Sequence, residues 1–374
     1  MRSVLVAAVA SLCACTATPS TWRRPLGCSD FCRPPGDGAV SDAPRTRNVI
    51  LVTIDGMRWQ EIFRGVDPVL GAANALPVRE ARALLPNIYR RLVDRGVGLG
   101  APDVGVPMFA SGPEFYSLPG YQELLGGTPA SSCLSNSCPN ITTPTLLDRV
   151  RSAFSLPKAA VVAIASWERM DRAVSVDNRS VVVSAGRTCG ITRDALRVNE
   201  CAGAVLDQAA AAGRAPGHSD YRADRYTGRL ALEYLREKRP RVLFVGLGDT
   251  DEYGHAGDYR WYVDAMGQLD LFIAELFSTL DRMGEYGAET TVLLTTDHGW
   301  SDDFSGHGGA EPDSARVWLF AAGGAVPARG LVGAKHEYHL ADVTPTLLRL
   351  LGVPVSPTER QRLITELLPE ATPP

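Results

Sequence analysis

Five residues near the C-terminal third, Thr295-Thr296-Asp297-His298-Gly299, set an aspartate and a histidine side by side. They stand where an apolar run, Thr291-Val292-Leu293-Leu294, reads as a buried strand coming to its end. Gly299 lets the backbone turn away at once. Two further apolar runs end in the same way. Residues 48–54 lead into Asp55-Gly56, and residues 241–247 lead into a segment that carries Asp251 and His255. A carboxylate four residues from an imidazole, with Gly254 letting the loop fold tightly, is a half-site for Zn²⁺. The competing reading of Asp55-Gly56 is a plain Asp-Gly turn. His307, in Gly306-His307-Gly308-Gly309, belongs by its glycines to a loop, with His336 and His339 as rivals for the same role and His218 alone on the surface. Ser117 stands at the start of a helix that Pro119 opens and Gly126-Gly127 closes. There its hydroxyl lies close to unpaired backbone N–H groups suited to a phosphoryl oxygen, although serine also serves as a simple helix cap.

These residues need a frame that brings distant strand ends together. The continuous apolar runs at 48–54, 159–165, 241–247, 291–294 and 317–322 are those of central parallel strands. Helices read at 85–93, 226–238, 262–283 and 341–351. The expected fold is α/β, with a mostly parallel central sheet, helices on both faces and a small insertion or cap at about 187–225, where the composition turns to Ala, Arg and Gly. In such a sheet ligands bind at the carboxyl ends of the strands.

With 374 residues and 45% hydrophobic content, the chain can build one large domain or two medium ones. A net charge of -4 argues against a nucleic-acid-binding surface. Residues 1–15 read as an export signal: Arg2 is followed by a short apolar stretch, and Leu12-Cys13-Ala14-Cys15 resembles a bacterial lipobox with Cys15 as the lipidated residue. An ordinary cleaved signal is the alternative. Residues 16–47 read as a tether rich in Pro, Gly, Ser and Thr, 48–360 as the main folded domain, and 361–374 as a C-terminal tail. The expected location is therefore periplasmic, on a membrane through the lipid anchor. The other six cysteines fall into three close pairs, Cys28/Cys32, Cys133/Cys138 and Cys189/Cys201. In an exported chain these read as disulfides in preference to zinc knuckles, since no histidine lies near any of them.

Taken in order, these motifs resemble the alkaline phosphatase superfamily, which includes nucleotide pyrophosphatase/phosphodiesterases and sulfatases. The resemblance spans residues 48–353. It rests on Ile54-Asp55-Gly56, on Ser117-x-Pro119 with Leu124 and Gly127 following, and on Asp251-x-x-Gly254-His255. Thr296-Asp297-His298-Gly299, His307 and Asp342-x-x-Pro345-Thr346-Leu347 complete it. It implies two divalent metal ions, usually zinc. Asp55, Ser117, Asp297 and His298 would surround one, and Asp251, His255 and His307 the other. It also implies that Ser117 attacks phosphorus, passing through a phosphoserine, with a small-molecule phosphate ester as substrate. Sulfatases of the superfamily need an Arg four residues after the Cys or Ser that is converted to formylglycine. Tyr121 stands there, which favours phosphate over sulfate esters. The family often has Thr where this chain has Gly126, and no dedicated phosphate-binding arginine is evident. The Asp251-to-His255 spacing tilts the expectation to diesters over monoesters. A sulfatase-like hydrolase and a non-catalytic, membrane-tethered metal-binding protein are the alternatives. Specificity is expected to lie in residues 60–115 and 187–225.

Overall fold

The computed structural model describes residues 45–370 except Cys189, Ile191 and Ala310. The signal segment with Cys15, most of the tether, the Cys28/Cys32 pair and Cys189 lie outside the described residues.

An eight-stranded sheet runs through the centre in the order β10-β2-β9-β7-β1-β6-β4-β5. Its strands are β1 (Asn48–Ile54), β2 (Gly96–Leu99), β4 (Val161–Ala165), β5 (Val182–Ala185), β6 (Val242–Leu247), β7 (Thr290–Thr296), β9 (Leu319–Gly323) and β10 (Gly330–Leu331). All pairs are parallel except those of β9, which runs antiparallel to β2 and β7. A small second sheet joins β11 (Tyr338–His339), β3 (Met108–Phe109) and β8 (Arg316–Val317).

The sheet is mostly parallel because its strands are apolar on both faces, and both faces are covered. Along β1, Ile50, Val52 and Ile54 join one buried cluster, and Val49 and Leu51 the other. This is the period-two alternation of a pleated strand. The first cluster includes residues of the helices Trp59–Arg64, Glu200–Ala211, Asp224–Lys238 and Tyr259–Asp281. The second includes the helices Ser117–Gly126, Leu146–Ala153 and Val343–Leu350. Cys133 and Cys138 form a disulfide. No helix among the described residues is long and apolar enough to cross a membrane.

Several elements differ from the sequence reading. The helix expected over 85–93 is a short α-turn, Pro86–Ile88, followed by a π-helical turn, Tyr89–Val93. Gly96 then opens a strand. A Cβ at Gly96 would stand 1.9 Å from the carbonyl oxygen of Ala321, so only glycine allows this close strand approach. The single strand expected over 317–322 is two, because Trp318 leaves the ladder and donates its indole N–H to the carbonyl of Met57. Within the segment 187–225, the Glu200–Ala211 helix is capped by Asn199 and buries Ala202, Val205 and Leu206 in the core.

Candidate metal centre

β7, β1 and β6 lie side by side and in register, so their carboxyl ends present Asp297, Asp55 and the Asp249–His255 helix next to one another. Asp55 follows β1 directly, and its amide continues the ladder to the carbonyl of Leu247 at 2.9 Å. Its own carbonyl accepts the hydroxyl of Thr250 at 2.6 Å. Gly56 turns with φ +61°, and a Cβ there would stand 2.4 Å from Asp251 Oδ1 and 2.5 Å from the Trp300 indole nitrogen. No other residue fits this turn. Its amide donates to Asp297 Oδ1 at 3.1 Å. Thr296 ties the two strand ends together, its hydroxyl lying 2.7 Å from the carbonyls of Ile54 and of His298.

The segment after β6 is a helix, where the sequence suggested a tight loop. Gly254 therefore serves packing: a Cβ on it would stand 2.5 Å from the Trp300 ring. On this helix Asp251 Oδ2 lies 3.2 Å from His255 Nε2. His307 Nε2 lies 3.3 Å from His255 Nε2 and 3.9 Å from Asp251 Oδ1. The His307 ring stacks on that of His298 at 4.1 Å, and its Nδ1 lies 2.9 Å from the carbonyl of Phe115, which accepts its proton. His298 in turn lies within 3.3 Å of Asp55 Oδ1 and 3.5 Å of Asp297 Oδ2.

Ser117 is the first residue of its helix and not the cap, a position that Tyr116 occupies. Its hydroxyl lies 3.1 Å from Asp55 Oδ1 and 3.3 Å from His298 Nε2. All seven residues of the expected set thus converge on one rim. His336 and His339 do not join it: His339 pairs with Glu337 at 3.1 Å, and His336 packs on Tyr338. His218 is exposed and pairs with Glu252 at 2.7 Å.

Three ligand atoms, one each from Asp251, His298 and His307, lie within 4.8 Å of one another, as do those of Asp55, Asp297 and His298. His298 belongs to both groups. Asp297 Oδ2 is buried with no hydrogen-bond partner among the described residues. A buried carboxylate oxygen left so, among histidine nitrogens, fits a cation. The electrostatics agree. Burial, and then the neighbouring charge of Asp251, push the Asp55 carboxyl up, against the hydrogen bonds from His298 and Ser117. Burial and Asp55 push Asp297 well up. Burial would lower His298, yet Asp297, Asp55 and Asp251 raise it to about 10. Burial and the charge of His298 hold His307 down, at about 4. Burial opposes ionisation of Asp251, but His255 and His307 overcome it and hold it below the usual carboxylate range. Converging carboxylates that resist ionisation together are relieved by positive charge placed between them.

Two supporting residues escaped the sequence reading. Trp300 donates its indole N–H to Asp251 Oδ1 at 3.1 Å and packs against the rings of His255 and His307. Its signal was its place directly after Gly299. Asn136 accepts the amide of Leu118 at 2.9 Å, next to Ser117. Only its position between two cysteines marked it. Tyr121 is buried, and burial with the charges of Asp297 and Asp55 pushes its phenol well up.

Residues 222–355 match the family model described as the Metalloenzyme superfamily. Among curated relatives, the 2,3-bisphosphoglycerate-independent phosphoglycerate mutase of Pseudomonas fluorescens is 28% identical over 127 residues, covering 33% of this chain and 23% of the relative. That of Saccharophagus degradans is 33% identical over 122 residues, covering 32% and 22%. The chain thus spans less than a quarter of the length of these relatives. Among solved structures, the phosphonate monoester hydrolase of Silicibacter pomeroyi superposes with a TM-score of 0.54 at 15% identity, over 88% of this chain and 78% of that one. Alkaline phosphatase PafA does so with 0.52 at 12% identity, over 88% and 100%, and a 2-O GAG sulfatase with 0.52 at 14%, over 84% and 72%. The family match thus takes in five of the six candidate ligand side chains beside Ser117, and the fold over most of the chain is that of the alkaline phosphatase superfamily.

Proposed function

We propose that this chain is a metal-dependent hydrolase of phosphoric esters with Ser117 as nucleophile, cleaving diesters in preference to monoesters. The observation that carries the reading is the Ser117 hydroxyl, free of any capping role and 3.1 Å from Asp55 and 3.3 Å from His298. Two divalent cations, zinc by the mixed carboxylate and imidazole donors, would be held by Asp55, Asp297 and His298 and by Asp251, His255 and His307. They would supply positive charge to the serine oxygen and to the departing oxygen.

The chain's own residues do the rest. The helix start aims Ser117 Oγ at phosphorus, the Oγ–P bond forms, and the bond from phosphorus to the leaving oxygen breaks. Water then hydrolyses the phosphoserine and returns the hydroxyl. One N–H group at the helix start, the Leu118 amide, is taken by Asn136 Oδ1. The NH₂ group of Asn136 is thereby left to donate on that side. Tyr121 in place of arginine supports phosphate over sulfate esters. We further propose export, with attachment to the membrane through Cys15. Radiolabelled palmitate should then enter the protein and be lost in Cys15→Ala.

The test is hydrolysis of p-nitrophenyl phosphate, bis-p-nitrophenyl phosphate and p-nitrophenyl sulfate, with added Zn²⁺, after chelation, and by Ser117→Ala. A phosphate activity that chelation removes and the variant loses by about 10³-fold or more supports the reading. Dominant sulfate activity would overturn it in favour of a sulfatase. Inert, metal-loaded protein would favour a binding role.

A further inference from the structure

Beside the start of the Ser117–Gly126 helix lies a cleft of about 320 Å³ lined by Glu114, Tyr116, Leu134, Ser135 and Asn136. Four of these, Glu114, Tyr116, Leu134 and Ser135, have no part in the chemistry above. One wall is built onto the loop of His307. Glu114 Oε2 accepts the amide of Gly309 at 3.0 Å, and the Tyr116 ring meets His307 edge-on at 5.6 Å. Gly308 makes room for that ring, since a Cβ on it would stand 2.9 Å from three of its atoms. The other wall is the loop closed by the Cys133–Cys138 disulfide. Arg169 and Arg172 pin it further, donating to the carbonyls of Asn136 and Cys138 at 2.8 and 3.1 Å. Both walls are therefore fixed before a ligand arrives, which limits the ordering a ligand must impose. Leu134, at 51% exposure, is a large apolar side chain held open on this wall.

We propose that this cleft is the subsite for the alcohol half of the substrate, and that it selects alcohols bearing hydrogen-bond donors and no negative charge. The inference rests on the phosphoester reading above. A carboxylate accepts hydrogen bonds and repels a second anion. A tyrosine ring attracts an ammonium group, and its hydroxyl pairs with another hydroxyl. Leu134 and the Tyr116 ring together cover the carbon skeleton of a small alcohol. Ethanolamine-like and glycerol-like groups share this chemistry; a carboxylate-bearing or further phosphorylated alcohol does not.

The experiment compares esters of ethanolamine, glycerol and glycolate, each offered as the phosphomonoester and as the p-nitrophenyl diester. Either outcome for monoesters against diesters then leaves the selectivity readable. Wild-type kcat/KM should be at least tenfold higher for the ethanolamine or glycerol ester than for the glycolate ester, and the faster of the two tells ammonium from hydroxyl recognition. Glu114→Gln keeps an oxygen for Gly309 and removes the charge, so that the ratio should fall to within about twofold. Leu134→Lys, on the exposed wall, should lower the ratio as well and serves if the first variant does not fold. A wild type that shows no preference, or variants that leave the ratio unchanged, overturns the subsite. A wild type that hydrolyses none of the esters, nor p-nitrophenyl phosphate, overturns the phosphoester reading itself.

Discussion

Replacing Gly120 by alanine sets two physical rules against each other. Gly120 lies within the Ser117–Gly126 helix, where alanine should gain about 0.5–1 kcal/mol through helix propensity alone. The structure reverses that sign. A Cβ at Gly120 would stand 2.5 Å from the carbonyl oxygen of Asp297 and 3.1 Å from its carbonyl carbon and its Cβ. These are mostly backbone atoms in a fully buried strand end, so they cannot swing aside. Helix and strand end must part by about 0.5–0.9 Å to reach even a tight contact of 3.0–3.4 Å. Overpacking of this kind costs about 1–3 kcal/mol, leaving a net loss of up to roughly 2.5 kcal/mol. The same displacement separates Ser117 from His298 and Asp297, and a misplacement of that size lowers kcat/KM by about ten- to a hundredfold. Urea denaturation and hydrolysis of the better phosphate ester measure the two effects. Gly267→Ala is the control, because that helical glycine has nothing within 4 Å and the substitution should stabilise by about 0.5–1 kcal/mol. A Gly120→Ala protein as stable and as active as the wild type would falsify the close-approach argument.

Metal removal should also be visible without turnover. Zn²⁺ at a hundred times its dissociation constant should raise unfolding free energy by about 2.7 kcal/mol over chelated protein, and identical denaturation curves would count against a cation site. Arg58 and Glu61 are fully buried and paired at 2.8 Å, and Arg58 also donates to the carbonyls of Ser301 and Asp302. Arg58→Met strands Glu61 and should cost about 3–5 kcal/mol in denaturation; a loss below 1 kcal/mol would refute that account. Burial opposes ionisation of Glu359, but the hydrogen bonds from Arg149 and Ser356 outweigh it and hold the carboxyl at about 2, against an ordinary 4.5. Its stabilisation is therefore full above pH 4.5 and lost as pH falls towards 2. Glu359→Gln should lose about 1 kcal/mol at pH 7 and flatten the acid limb of the stability profile, and an unchanged limb would be the contrary result.

The strand ends were legible in the sequence because a strand buried on both faces is apolar without interruption, and a carboxylate that breaks the run marks the rim. Asp55 and Asp297 stand out for that reason. The break in the ladder at Trp318 was not legible, since an aromatic inside an apolar run looks like one more strand residue. Only its hydrogen bond to Met57, 261 positions away, shows that it leaves the ladder. The role of Gly254 was hidden in the same way, because a glycine that turns a loop and one that admits the Trp300 ring read alike. The Glu200–Ala211 helix was masked by its alanine content, which gives it a weak apolar stripe although its inner face is buried. Asn136 could not be found from spacing, because its link to Leu118 depends on the fold of the loop between Cys133 and Cys138.

The place of β1 between β6 and β7 has a consequence for how the molecule is made. The first strand among the described residues hydrogen-bonds to two of the later ones, with Ile54 opposite Leu247 on one side and Thr296 on the other. β6 can pair one edge of β1 earlier, but until about residue 296 has emerged the other edge stays open, and Asp55 and Asp297 lie far apart in sequence. Pairings this distant form slowly and leave an apolar strand open to aggregation meanwhile. The nascent chain can therefore gather its full set of candidate ligands only once His307 has emerged.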